Sequence, residues 1–159
     1  MNRDGFTTVE LIAVIAICVT LIAVATLSFK GSSDKSTIES QFRTMYADLT
    51  GVRSQALYRK KPRSVTFTTT GYSVYSSNNV SVTPLKRTTL KVAVTTVPSN
   101  LRIDFDQMGF ATFSNTSSTA YVCAQTMAAK AVYNSIILAQ TRIQMGSLSG
   151  SGCNSAKPQ

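Results

Sequence analysis

From Leu11 to Phe29 the chain runs for 19 residues without a charge, and this run restricts the possible folds more than any other feature. Extended back to Phe6 it covers 24 residues, about 36 Å as an α-helix, which is enough to cross a bilayer. A cleaved secretory signal has a shorter apolar core followed by polar mature sequence. Here Ala23-Val24-Ala25 offers the small residues of a cleavage site, but more apolar residues follow it. A retained membrane helix is therefore expected, with signal cleavage as the alternative. Charge does not orient the helix, because Arg3 lies on one side and Lys30, Lys35 and Arg43 on the other.

One residue sits oddly in this run. Glu10 places a carboxylate a few residues inside it, and an ionisable group in apolar surroundings ordinarily has a partner. Its own helix offers no cation at three or four residues' distance. Either the side chain reaches the interface from near the helix end, or its partner comes from another molecule.

The rest of the composition narrows the chemistry. The 159 residues suit one domain with an appendage. There is no His or Trp, which excludes His-dependent triads, HExxH sites and Cys/His zinc sites. Ser, Thr and Tyr are abundant but have no evident activating base, so no enzyme and no cofactor are expected. Lys and Arg number 16 against 7 Asp and Glu, a net charge of +9 that favours anionic partners. Cys123 and Cys153 stand 30 residues apart, a spacing unsuited to CxxC chemistry or a zinc cluster. In an oxidising compartment they most simply form one disulfide.

Beyond the apolar run, Gly31-Ser32-Ser33 breaks the pattern, and Ser36-x-x-Glu39 has the form of a capping box. Ile38, Phe42, Met45, Leu49, Val52 and Ala56 then recur at steps of three or four, predicting an amphipathic helix over 36–60 that Pro62 stops. This is either a new helix after a hinge at Gly31 or the continuation of one long helix. From Ser64 the period changes to two. Val65 and Phe67, then Val74, Val80 and Val82, then Leu90, Val92 and Val94, then Leu101, Ile103 and Phe105 alternate between turn signals. Apolar runs at 120–124 and 132–143 complete a set of short, mostly antiparallel strands. The Gly/Ser-rich tail is flexible unless Cys153 pins it. The class is α+β, with a helix packed on an antiparallel sheet domain.

Two charge features invite a functional reading. Asp104 and Asp106 share one strand face, but no DxDxDG loop accompanies them, so a solvated face is expected and no metal site. Arg59-Lys60-Lys61-x-Arg63, with Arg53 and Tyr58 nearby, is the densest run of charge. Cations at a helix end complement its dipole; the other reading is a phosphate-binding patch, joined by Lys86-Arg87 from a loop and by Arg142.

The residues GFTTVE followed by LIAVIAI resemble the class III signal of type IV pilins and pseudopilins. That resemblance implies cleavage by prepilin peptidase between Gly5 and Phe6, N-methylation of Phe6, and pairing of Glu10 with a neighbouring subunit's terminal amine. LTGVRSQALYRKKPRSVTF and LRIDFDQMGFATF further resemble minor pilins of the GspH/FimT type. Of that family's Gly-Arg-x-Arg element, AQTRIQMG keeps Arg142. The implied organisation is a leader over 1–5, a transmembrane and filament-core helix over 6–29, an amphipathic helix over 30–62 and a β-rich domain over 63–159. The implied protein is a single-pass subunit of the bacterial inner membrane with its domain in the periplasm, partnered by other pilin or pseudopilin subunits. It would help start or cap a type IV pilus or a type II secretion pseudopilus. The alternative is a minor pilin that binds DNA for uptake through Arg59, Lys60, Lys61, Arg63 and Arg142.

Overall fold

The computed structural model of the chain describes residues 7–114, 118–125, 131–148 and 152–159, with backbone alone over 24–30. Helix α1 occupies Thr8–Arg59. The Thr7 hydroxyl accepts a hydrogen bond from the Glu10 backbone N–H at 3.3 Å, so Thr7-x-x-Glu10 caps the start of the helix. The capping box expected at Ser36 and Glu39 is instead mid-helix. A cap needs a non-helical backbone at its first residue, and Ser36 is reached by a helix already running. The Glu39 carboxylate instead accepts the backbone N–H of Val132 at 2.9 Å and lies 3.9 Å from Lys35 Nζ. Gly31 is helical as well; a lone glycine costs about 1 kcal/mol against alanine, too little to end a long helix.

The chain divides between Asp34 and Lys35 into two compact units. In the first, Val9, Leu11, Ile12, Val14, Ile15, Ile17, Val19, Leu21 and Ile22 are all exposed. Among the described residues no helix is long and apolar enough to cross a membrane. Phe6, at the start of the expected span over 6–29, lies outside the described residues, as do the side chains of 24–30.

In the second unit the predicted stripe is fully realised: Ile38, Phe42, Met45, Leu49, Val52 and Ala56 are buried. Strands β1 (Arg63–Thr68), β2 (Gly71–Tyr75), β3 (Lys86–Thr89), β4 (Val94–Val97), β5 (Arg102–Phe105) and β6 (Ala111–Phe113) follow the helix. They are succeeded by β7 (Thr119–Ala124), β8 (Ser135–Ala139), β9 (Ile143–Leu148), a 3-10 turn at Cys153–Ser155 and β10 (Ala156–Pro158). These make two five-stranded sheets, ordered β3-β2-β1-β5-β6 and β10-β9-β8-β7-β4. Every pairing within them is antiparallel. One core joins the helix stripe to Val65, Phe67, Ile103 and Phe105 from the first sheet and Val122, Ile136 and Leu138 from the second.

Polar ties fix the helix between the sheets' connections. Gln41 donates to Val92 O at 2.8 Å and accepts from Val92 N at 2.9 Å, which satisfies both backbone groups of a residue between β3 and β4. Val80 and Val82, expected in a strand, lie in the connection between β2 and β3. The third strand is the polar KRTT segment. It pairs with β2 alone, at the sheet edge, where charged residues are favoured and no apolar alternation is required. The tail is pinned: Cys123 in β7 is bonded to Cys153 with Cα atoms 5.7 Å apart, and β10 pairs with β9.

Candidate functional site

Helix α1 ends at Arg59 because Lys60 takes a left-handed φ of 52° and Pro62 cannot continue a helix. The basic run is therefore bent through a turn and delivered into β1, and its members separate. Arg63, Val65 and Phe67 alternate along β1 and are all buried, so Arg63 occupies a core-facing position of the strand. It is 5% exposed, so it does not itself belong to a solvated helix end. The strand period takes over at Arg63, and the Arg63-x-Val65-x-Phe67 alternation was a signal in the sequence that could have shown this.

Arg59, Lys61 and Arg63 line one pocket of about 660 Å³ together with Tyr58, Ser76 and Leu85. The register Ser64↔Tyr75 between β1 and β2 brings Ser76 beside Arg63. Tyr58 is 92% exposed. Lys60 lines a neighbouring cleft with Ser54, Gln55, Leu57, Tyr58 and Arg59. Arg142 sits exposed in the turn between β8 and β9 and does not line the pocket. Lys86 and Arg87 belong to β3 rather than a loop. Lys86 Nζ pairs with Asp48, so this cation already has a partner. The Tyr72 hydroxyl donates to the same Asp48 oxygen. Burial first, and then that hydrogen bond, push the Tyr72 phenol above its ordinary value.

Arg63 Nε and Nη1 are buried and, among the described residues, have no hydrogen-bond partner. Among the described residues no carboxylate lines the pocket. A desolvated cation without a counter-charge is costly, and the lining hydroxyls and cations can all donate. The arrangement can hold an anion. It has no paired nucleophile and base.

The two aspartates serve the fold. Asp104 accepts from Ser64 Oγ and, at 2.9 Å, from Arg102 Nε. Asp106 Oδ1 accepts the backbone N–H groups of Met108 and Phe110, both at 2.8 Å. It thereby closes a turn in which Gly109 has φ of 76° and a Cβ would lie 2.8 Å from Leu57 Cγ, so glycine is required on both counts. Among the described residues no group of three or more His, Cys, Asp or Glu could hold a metal.

Gly5 and Phe6 lie outside the described residues. Glu10 is exposed in the first turn of α1, where a carboxylate also complements the helix dipole. Among the described residues it has no ion-pair partner. Thr7, which caps it, was not singled out from the sequence, although its T-x-x-E pattern was present.

No family model matches the sequence, and no curated protein matches it. Among solved structures, the type IV minor pilin FimU of Pseudomonas aeruginosa is similar in two crystal forms. The first is 15% identical, covering 79% of this chain and 96% of that one, with a TM-score of 0.54. The second is 17% identical, covering 74% and 95%, with a TM-score of 0.48. At such identity the likeness is one of fold, and it rests on the first structure. The helix packed on antiparallel sheets gives this chain a type IV pilin-like fold.

Proposed function

We propose that the chain is a minor pilin or pseudopilin subunit of the GspH/FimT type, processed by prepilin peptidase and working in the assembly of a thin filament. It would be cut between Gly5 and Phe6, methylated at Phe6, and held by a single pass in the bacterial inner membrane with its β-rich domain in the periplasm. Other pilin or pseudopilin subunits would be its partners as it helps start or cap a type IV pilus or a secretion pseudopilus.

The observation that carries this reading is Glu10. It is a carboxylate without an ion-pair partner among the described residues, on a helix whose apolar residues are exposed around it. A neighbouring subunit's helix would cover those residues, and its terminal amine would neutralise the carboxylate at the fifth mature position. The Thr7 cap lies on the mature side of the proposed cut, so the start of α1 is preserved by processing. The pilin-like fold supports the same reading.

The test replaces Glu10 with Ala and with Gln in the full chain and measures incorporation into filaments beside the thermal unfolding of the domain. Both variants are expected to lose incorporation while the unfolding midpoint stays in place. Normal incorporation of Glu10→Ala sinks the role. A mature mass that retains Met1 sinks the processing step.

A second reading, DNA binding for uptake, is favoured by the convergence of Arg59, Lys61 and Arg63 on one pocket lacking a carboxylate. Lys60 and Arg142 would then extend the contact to neighbouring phosphates from the adjacent cleft and the β8–β9 turn.

A further inference from the structure

We propose that the pocket lined by Tyr58, Arg59, Lys61, Arg63, Ser76 and Leu85 binds a single phosphate group. The core of the inference is Arg63. It is 5% exposed, and among the described residues two of its guanidinium nitrogens have no hydrogen-bond partner and no acid lines the pocket with it. A buried cation without a counter-charge is costly, and an anion in the pocket supplies that counter-charge. Arg59 and Lys61 add two exposed cations, and the hydroxyls of Tyr58 and Ser76 add neutral donors.

The charge count selects phosphate. Three cationic side chains face a phosphate of roughly −1.5 to −2 charge, whereas a carboxylate would balance only one of them. Arginine's planar fork also suits several oxygens on one centre. The C-terminus of α1 opposes any anion with about half a negative charge, which three full positive charges outweigh. A second copy of the folded unit is a poor source of the anion. Its side-chain carboxylates are Glu39, Asp48, Asp104 and Asp106, and all four already accept hydrogen bonds within the unit. The phosphate comes from another molecule, either as the free ion or as part of a nucleic-acid strand whose base would lie on exposed Tyr58.

This site is independent of the assembly reading. For the DNA reading it names where one phosphate enters. Full-length protein in a non-ionic detergent, labelled with nitrogen-15, is titrated with inorganic phosphate and, in parallel, with sodium chloride at matched ionic strength. The Arg63 Nε–H resonance, assigned through Arg63→Lys, and the Ser76 amide are expected to shift saturably with phosphate alone. The double substitution Arg59→Ala with Lys61→Ala, at two exposed positions, is expected to weaken binding by about tenfold or more. Identical responses to phosphate and chloride overturn the proposal, as does unchanged affinity in the double variant.

A second arm uses a short single-stranded oligonucleotide. If free phosphate displaces it at constant ionic strength, and Tyr58→Ala weakens the strand but not the free ion, the strand's phosphate occupies this pocket. Phosphate binding without such competition retains the pocket and assigns it to the free ion. Oligonucleotide binding with no phosphate response overturns the pocket and leaves the DNA reading standing on other residues.

Discussion

Helix α1 contains two apolar stretches with opposite fates. Between Val9 and Ile22 its large apolar side chains are exposed on all sides, whereas between Ile38 and Ala56 they form one buried stripe. The second stretch repeats every three or four residues and so has a polar face for solvent and an apolar face for two sheets. The first stretch is apolar all round and has no such division into faces. The same residue types are therefore buried within the folded unit in one place and exposed in the other.

The contrast can be broken by substitution. Phe42→Ala empties a fully buried site in the stripe and is expected to cost about 3 to 5 kcal/mol, read as a large fall in the domain's unfolding midpoint. An unchanged midpoint would show that the stripe does not hold the sheets. Next, replacing Cys123 and Cys153 together with Ser opens a loop with a sequence separation of 30, expected to cost about 3 to 4 kcal/mol by loop entropy. Denaturant titration checks it, and proteolysis should then begin in the tail at β10.

A smaller effect depends on pH. The Tyr72 phenol is raised by burial and by Asp48, so the folded state holds its proton more firmly than the unfolded chain does. The associated stability is complete below the unfolded value of about 10 and is lost as pH rises through the higher folded value. Thermal scans should be insensitive to this group at neutral pH and fall above about pH 10, and Tyr72→Phe should reduce that fall. The smallest effect on the domain is expected from Ile15→Ala, within about 0.5 kcal/mol, because Ile15 is exposed. If it destabilised the domain as Phe42→Ala does, the contrast between the two stretches would be lost.

Periodicity made the stripe legible residue by residue, and alternation located most strands of the core. It failed at Val80 and Val82, where two apolar residues at strand spacing lie in a connection, and at Lys86–Thr89, where an edge strand carries no apolar signal. The same limit applies at the candidate site. A run of cations reads as one surface feature, yet the left-handed Lys60 and the strand pleat send Lys60 to one cleft and Lys61 and Arg63 to another, with Arg59 lining both.

Local order was thus written in the chain: the uncharged stretch at the start of the helix, the helical stripe, the strand period and the Thr7-x-x-Glu10 cap all depend on neighbours within a few residues. Tertiary structure alone decided that the strands divide into two sheets and that Ser76 arrives beside a buried Arg63. Those outcomes depend on which distant segments share an edge or a face. Such pairings are settled by the energy of the assembled core, which no short window of sequence contains.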